Sequence, residues 1–134
     1  MAKSNDNLTS FGLLFLRVLA GSGIAYHGYQ KIFGGYVDQL AQGLTHMGFP
    51  VPIVFAWLAA LSEFVGGICL VLGLFTLQGA VFVFITMSVA AFVAHKADPL
   101  DKKELALAYW TVSGALICLG AGKFSLDHIF KLKK

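Results

Sequence analysis

Residues 52–73 read PIVFAWLAALSEFVGGICLVLG, an apolar run whose only charge, Glu63, sits at its centre. A membrane helix needs about 20 mainly apolar residues, so this stretch predicts a spanning helix. Residues 8–29, LTSFGLLFLRVLAGSGIAYHGY, repeat the pattern around one charge, Arg17. An ion in hydrocarbon costs at least roughly 2.5–3.5 kcal/mol. Every other Lys, Asp and Glu lies at a span end or in a loop. Two such costs are tolerated most easily if the charges pair. The sequence therefore predicts a bundle built around a buried Arg17–Glu63 ion pair.

Composition supports the membrane class. The chain has 134 residues, 57% hydrophobic and 13% charged, with a mean hydropathy of +0.76. A soluble domain carries about 25% charged residues. The length suits one domain. The net charge of +3 resides mainly in Lys131, Lys133 and Lys134, which points to anionic lipid headgroups rather than nucleic acid. Cys69 and Cys118 lie on different spans and form no CxxC or zinc-type cluster, so no metal site is expected. No P-loop, nucleotide fingerprint or Ser/His/Asp arrangement is visible.

Four spans can be marked, at about 8–29, 52–73, 79–95 and 105–122. The fold class is all-α, a four-span antiparallel transmembrane helix bundle. Leu74 to Gln78 leaves room only for a tight hairpin between spans two and three. The segment from Lys31 to Val51 holds Gly34, Gly35, Gly43, Gly48 and Pro50, turn and breaker residues, with Val37–Met47 as a short interfacial helix. Asn5–Ser10 offers N-cap candidates. Span one has signal-peptide features, but Arg17 interrupts its core and its His27–Lys31 flank is unlike a cleavage site, so it is read as retained.

Counting about ten residues from His27 back to Arg17, and from Ile53 forward to Glu63, puts both charges roughly 15 Å from one surface. Small neighbours, Ala20 and Gly21 on one side and Ala59, Ala60, Gly66 and Gly67 on the other, suit close helix approach. The pair either fixes register or serves function, as intramembrane ions often do.

A second constellation lies at the first-loop face. His27 and Lys31 end span one, His95 ends span three and Glu104 begins span four; His46 lies in the loop between spans one and two. Histidines at this depth suit proton exchange with a quinone headgroup or simply sit hydrated among headgroups. Haem ligation is disfavoured, since the ligands would come from separate helices without an HxxxH pair. Trp57, Tyr109 and Trp110 read as interfacial anchors.

Three motifs then carry a resemblance. Span one ends His27-Gly28-Tyr29-Gln30-Lys31-Ile32-Phe33-Gly34-Gly35. Span two carries Glu63-Phe64-Val65-Gly66-Gly67 and then Leu72-Gly73-Leu74. Span four is followed by Gly122-Lys123-Phe124-Ser125-Leu126-Asp127. Together with Arg17, these resemble the DoxX family of small bacterial and archaeal membrane proteins over nearly the whole chain. The resemblance implies a four-helix protein of the inner (cytoplasmic) membrane. It also implies a link to quinone and sulfur redox chemistry, since related sequences resemble a subunit of thiosulfate:quinone oxidoreductase. Other members are associated with quinone and catechol detoxification or thiol-oxidative stress. The family pattern falls on Arg17, His27, Gly28, Lys31, Glu63, Gly66, Gly67, Gly122, Ser125 and Asp127.

Gly120 and Gly122 can end the fourth helix. Lys123 can neutralise its dipole, and Ser125 and Asp127 can cap a terminal amphipathic helix, Leu126–Leu132, lying on the membrane. The function expected is a redox-associated membrane protein engaging a quinone or a partner oxidoreductase, possessing Arg17 and Glu63 as its polar centre. His27, Lys31, His95 and Glu104 would bind the ligand; no catalytic residue is identified. The alternatives are a non-enzymatic scaffold for a partner protein and a small-molecule or lipid carrier. The partners expected are membrane lipids, a partner oxidoreductase and further copies of the chain. Lys3, Lys123, Lys131, Lys133 and Lys134 share one side of an even-span protein, which places both termini in the cytoplasm.

Overall fold

The computed structural model describes residues 2–132, with side chains from Asp6 onward. Lys133, Lys134 and the side chains of Lys3 and Asn5 lie outside that range. The described residues are all-helical or in turns: α1 Ala2–Phe33, α2 Val37–His46, α3 Pro52–Leu72, α4 Thr76–Val89, α5 Leu100–Leu119 and α6 Leu126–Ile129. A π-helical turn, Ala90–Ala94, continues α4. Among the described residues three helices are long and apolar enough to cross a membrane: Asp6–Phe33, Pro52–Leu72 and Thr76–Ala94. The fourth, α5, carries Asp101, Lys102, Lys103 and Glu104 in its opening turns and is apolar from Leu105.

Several boundaries differ from the sequence reading, each for a local reason. The first helix runs through Asn5–Ser10 instead of being capped there, and it continues past Tyr29 to Phe33. Lys31 in the last turn favours the helix dipole, and the helix ends only at Gly34 and Gly35, the latter at φ 77°. The fourth helix starts at Thr76 rather than 79, because the Asp127 carboxylate caps its first amides. The fifth starts at Leu100 because Pro99, extended at φ −63° and ψ 162°, sits at its N-cap. Gly120 and Gly122, at φ 75° and 79°, end it as expected. The interfacial helix is present as α2, which buries Val37 and Leu44 against Ala56 and Ala60 of α3.

In space the order is α1, α3, α4, α5, with α2 folded over the start of α3; the seam between α1 and α5 is the lightest. The core of the bundle comprises Leu13, Ile24, Leu70, Ala80, Val83, Met87 and Leu116. Outward faces carry Phe11, Phe15, Leu19, Leu61, Val65, Phe82 and Ile85, all exposed. In lipid those side chains gain nothing by turning inward, so packing and interhelical hydrogen bonds hold the helices together. Two such bonds are Thr86 Oγ1 to Ser62 Oγ, 2.9 Å, and Trp110 Nε1 to Ser88 Oγ, 3.0 Å. Trp110 stacks on Phe84 and meets Phe92 edge-on, so it is a packing residue rather than the expected interfacial anchor.

The tightest contact joins α1 and α3. A Cβ on Gly67 would lie 2.5 Å from the Ala25 nitrogen and 2.7 Å from the Gly21 oxygen. A Cβ on Gly28 would strike the backbone of Phe64. These two glycines therefore set how closely the first two spans approach.

Candidate functional site

The close α1–α3 register decides which charges meet. With Gly28 against Phe64, Glu63 lies level with the last turn of α1. Lys31 reaches it, placing Nζ 2.5 and 2.6 Å from the two carboxylate oxygens. The Glu63 side chain is 4% exposed and that of Lys31 27%. The expected Arg17–Glu63 pair is not formed. Arg17 precedes Gly28 by eleven residues, which is roughly 16 Å along the helix. The depth count failed because α3 begins beyond the end of α1, where α2 covers its first turns. Both residues are nevertheless buried, Arg17 at 0% and Glu63 at 3%.

His27 and Lys31 are one helical turn apart on α1. The His27 ring meets Tyr109 of α5 edge-on, at 6.0 Å between centroids. Tyr109 approaches α1 so closely that a Cβ on Gly23 would strike its hydroxyl, and it lies within electrostatic range of Glu63. A carboxylate, an ammonium, an imidazole and a phenol thus gather on three helices near the first-loop face. The sequence reading placed Tyr109 among interfacial anchors; the only sequence signal for its role is Gly23, a small residue on the facing helix.

The other candidates do not join this group. His95, at the end of the π-helical turn, bonds Asp98 through Nδ1 at 2.7 Å. Glu104 is exposed and has no hydrogen bond or ion pair among the described residues, and His46 is exposed on α2. The His95 hydrogen bond holds the Asp98 carboxyl below the usual carboxylate range. A depressed carboxyl contributes stability above its unfolded pKa of about 3.9 and loses it as pH falls through the lower folded value. An NMR titration of Asp98 is expected to show a midpoint below that reference, moving up in His95→Ala. Among the described residues no group of three His, Cys, Asp or Glu side chains is placed to hold a metal ion.

Arg17 belongs to the opposite, terminus-side end of the bundle. Nη1 donates to the Leu70 oxygen at 2.9 Å and Nη2 to the Phe124 oxygen at 2.6 Å. It thereby ties the C-terminal end of α3 to the segment after α5. Gly73, at φ 65°, leaves the room: a Cβ there would strike the guanidinium and lie 2.6 Å from Ser125 Cβ. The Gly122–Asp127 motif is a clasp. Ser125 Oγ donates to the Gly122 oxygen at 2.6 Å and accepts the His128 amide at 3.2 Å, which is the cap expected. Asp127 does not cap its own helix. Its oxygens take the amides of Phe75 and Thr76 at 2.7 and 2.9 Å, while its own amide donates to the Gly73 oxygen at 2.8 Å. Lys123 pairs with Asp6 of α1 at 2.5 Å instead of serving the α5 dipole. The terminal helix is a single docked turn, not the longer surface helix expected to Leu132.

Of the remaining motif glycines, Gly66 packs on Gly79 of α4, where a Cβ would lie 2.9 Å from Val83. Cys69 and Cys118 are free thiols.

The DoxX family model matches residues 12–96. The chain is 34% identical over 125 residues to an uncharacterized protein of Haemophilus influenzae, covering 88% of this chain and 90% of that protein. It is 30% identical over 125 residues to the inner membrane protein YphA of Escherichia coli, covering 87% and 88%. No solved structure matches the chain.

Proposed function

The chain belongs to the DoxX family of integral membrane proteins, and from that premise we propose that it engages a quinone headgroup at its first-loop face on behalf of a partner oxidoreductase. The observation that carries this reading is the half-buried Lys31–Glu63 pair with His27 and Tyr109 beside it. The Lys31 ammonium, the Tyr109 hydroxyl and one His27 nitrogen are donors suited to quinone carbonyl oxygens. Tyr29, Phe33 and Phe64 form an aromatic cluster next to the pair, suited to a flat ring. Glu63 holds the Lys31 amine in place through both carboxylate oxygens. Reduction of a quinone to its quinol takes two electrons and two protons. The partner supplies the electrons, and the His27 imidazole, which can both accept and donate a proton, relays protons from the aqueous surface. The lysines of the terminus-side end support a cytoplasmic placement of both termini, with the quinone face on the opposite side.

Binding of a short-chain ubiquinone, read by quenching of Trp110 fluorescence in nanodiscs, tests the reading. His27→Phe and Tyr109→Phe are each expected to weaken binding about tenfold, roughly 1.4 kcal/mol, with helicity unchanged. If both variants, and His95→Phe, bind as wild type does, the quinone reading fails. A stable stoichiometric partner captured with no bound small molecule would then favour the scaffold reading.

A further inference from the structure

The contact between α3 and α4 is made through glycines. A Cβ on Gly66 would lie 2.9 Å from Val83 and 3.2 Å from the Gly79 oxygen, and one on Gly79 would lie 2.9 Å from the Cys69 Cβ. The glycines bring the two backbones together. Leu58, Leu61 and Val65 of α3 and Phe82 of α4 stand exposed on the two sides of the seam. Between them runs an open groove of about 350 Å³, with both glycines in its lining. Its one hydroxyl, on Ser62, is engaged with Thr86 at 2.9 Å.

Length and width suit a single hydrocarbon chain. From Leu58 to Cys69 the groove follows α3 for roughly 16 Å, about one leaflet of a hydrocarbon core about 30 Å thick. Since α3 runs from Pro52 to Leu72, that leaflet is mainly the terminus-side one. A volume of about 350 Å³ over this length gives a cross-section of about 22 Å². A helix with its side chains is about 10 Å across and is too broad to enter.

The groove ends at polar groups. Gln78, in the first turn of α4, lines it beside Cys69. The same Gln78 lines a pocket of about 440 Å³ under the clasp, together with Lys123, Asp127 and His128. The two cavities thus adjoin at one exposed side chain. Both acids of this pocket are already matched. Asp6 pairs with Lys123, and Asp127 takes two amides and lies in the field of Arg17. Lys131 is exposed and has no acidic partner among the described residues, and Lys133 and Lys134 follow it in the sequence. The Gln78 and His128 side chains are exposed, have no hydrogen bond among the described residues, and can both donate. Two free donors within surplus positive charge complement an anionic phosphodiester at headgroup level.

We propose that the groove and its mouth form a site for one anionic phospholipid. One acyl chain lies along the α3–α4 seam, and the phosphate is held by Gln78 and His128; the second chain stays in the bilayer. No residue of the first-loop site takes part.

Native mass spectrometry of the full chain, titrated with dioleoyl phosphatidylglycerol, dioleoyl phosphatidylcholine and dioleoylglycerol, tests both halves of the site. One phosphatidylglycerol per chain is expected, bound at least fivefold more tightly than either other lipid. Val65→Trp fills the groove from an exposed position and is expected to weaken that binding at least fivefold. Leu61→Trp fills it from a second exposed position and keeps the test decisive if Val65→Trp fails to fold. Leu19→Trp, exposed on α1, is the control and should bind as wild type does. Joint replacement of Gln78 and His128 by leucine should bring phosphatidylglycerol down to the level of dioleoylglycerol, with Lys131 still present. Glycerol 3-phosphate at millimolar concentration should not displace the lipid. Equal binding of the three lipids, or equal loss in Leu19→Trp and the groove variants, would mean an unselective lipid shell and overturn the proposal. Unchanged preference in the Gln78 and His128 variant would remove the head site, and displacement by glycerol 3-phosphate would remove the groove; either refutes it. So would a dimer that the groove variants dissociate, which would give the seam to a second copy of the chain.

Discussion

Replacing Gly67 by alanine is expected to separate the first two spans and to abolish the compact fold, or to leave it severely weakened. The added methyl would lie 2.5 Å from the Ala25 nitrogen and 2.7 Å from the Gly21 oxygen. Both are backbone atoms of a continuous helix, so no side chain can swing aside. Overpacking typically costs about 1–3 kcal/mol where side chains can yield; here whole helices must part. The movement would also pull Lys31 away from Glu63, since the same interface sets their level. Unfolding in mixed micelles, followed by helicity and gel mobility, checks this. Gly12→Ala is the control, because a Cβ there meets nothing within 4 Å. Wild-type stability in Gly67→Ala would mean that α1 and α3 are further apart than described.

The second large effect concerns the buried carboxylate. Removing Lys31 alone, as Lys31→Leu, leaves the Glu63 carboxyl without its partner in a place where its side chain is 4% exposed. Stranding one member of a buried pair costs about 3–5 kcal/mol. Glu63→Leu is milder, because Lys31 is 27% exposed and its long stem can carry the ammonium to the headgroups. Removing both should recover much of the loss, since an apolar pair of similar volume avoids desolvating two ions. On the proposed quinone reading, ligand binding is not expected to recover with stability in the double variant.

The spans were legible because apolar runs of membrane length have few other solutions, and glycine and proline mark their ends. The interfacial α2 was legible in the same way, with breakers on both sides of Val37–His46. The burial of Arg17 and Glu63 was also readable, since a lone ion within an apolar run needs a protein environment. Their partners were not. Pairing depends on axial register, and register is set by Gly21, Gly28 and Gly67 meeting backbone atoms, which no count from span ends reveals. Arg17 is satisfied by the carbonyls of Leu70 and Phe124, and backbone acceptors carry no sequence signature. Asp127 illustrates the same limit. It sits where a cap for its own helix would sit, yet it caps α4, 51 and 52 residues earlier in the chain. Tyr109 was hidden by a different cause, since a tyrosine near a span end looks the same whether it faces lipid or a neighbouring helix.

The central claim is that the chain divides its buried charges between two ends: Lys31 with Glu63 at the first-loop face, and Arg17 in the terminus-side clasp. Double-mutant cycles on unfolding free energy test it directly, one for Lys31→Leu with Glu63→Leu and one for Arg17→Leu with Glu63→Leu. The first pair should show a coupling of at least about 2 kcal/mol, near the upper part of the range for residues in contact. The second should be additive within about 0.5 kcal/mol, as for residues well apart. Strong coupling between Arg17 and Glu63, with Lys31 and Glu63 additive, would contradict the division and restore a single central ion pair.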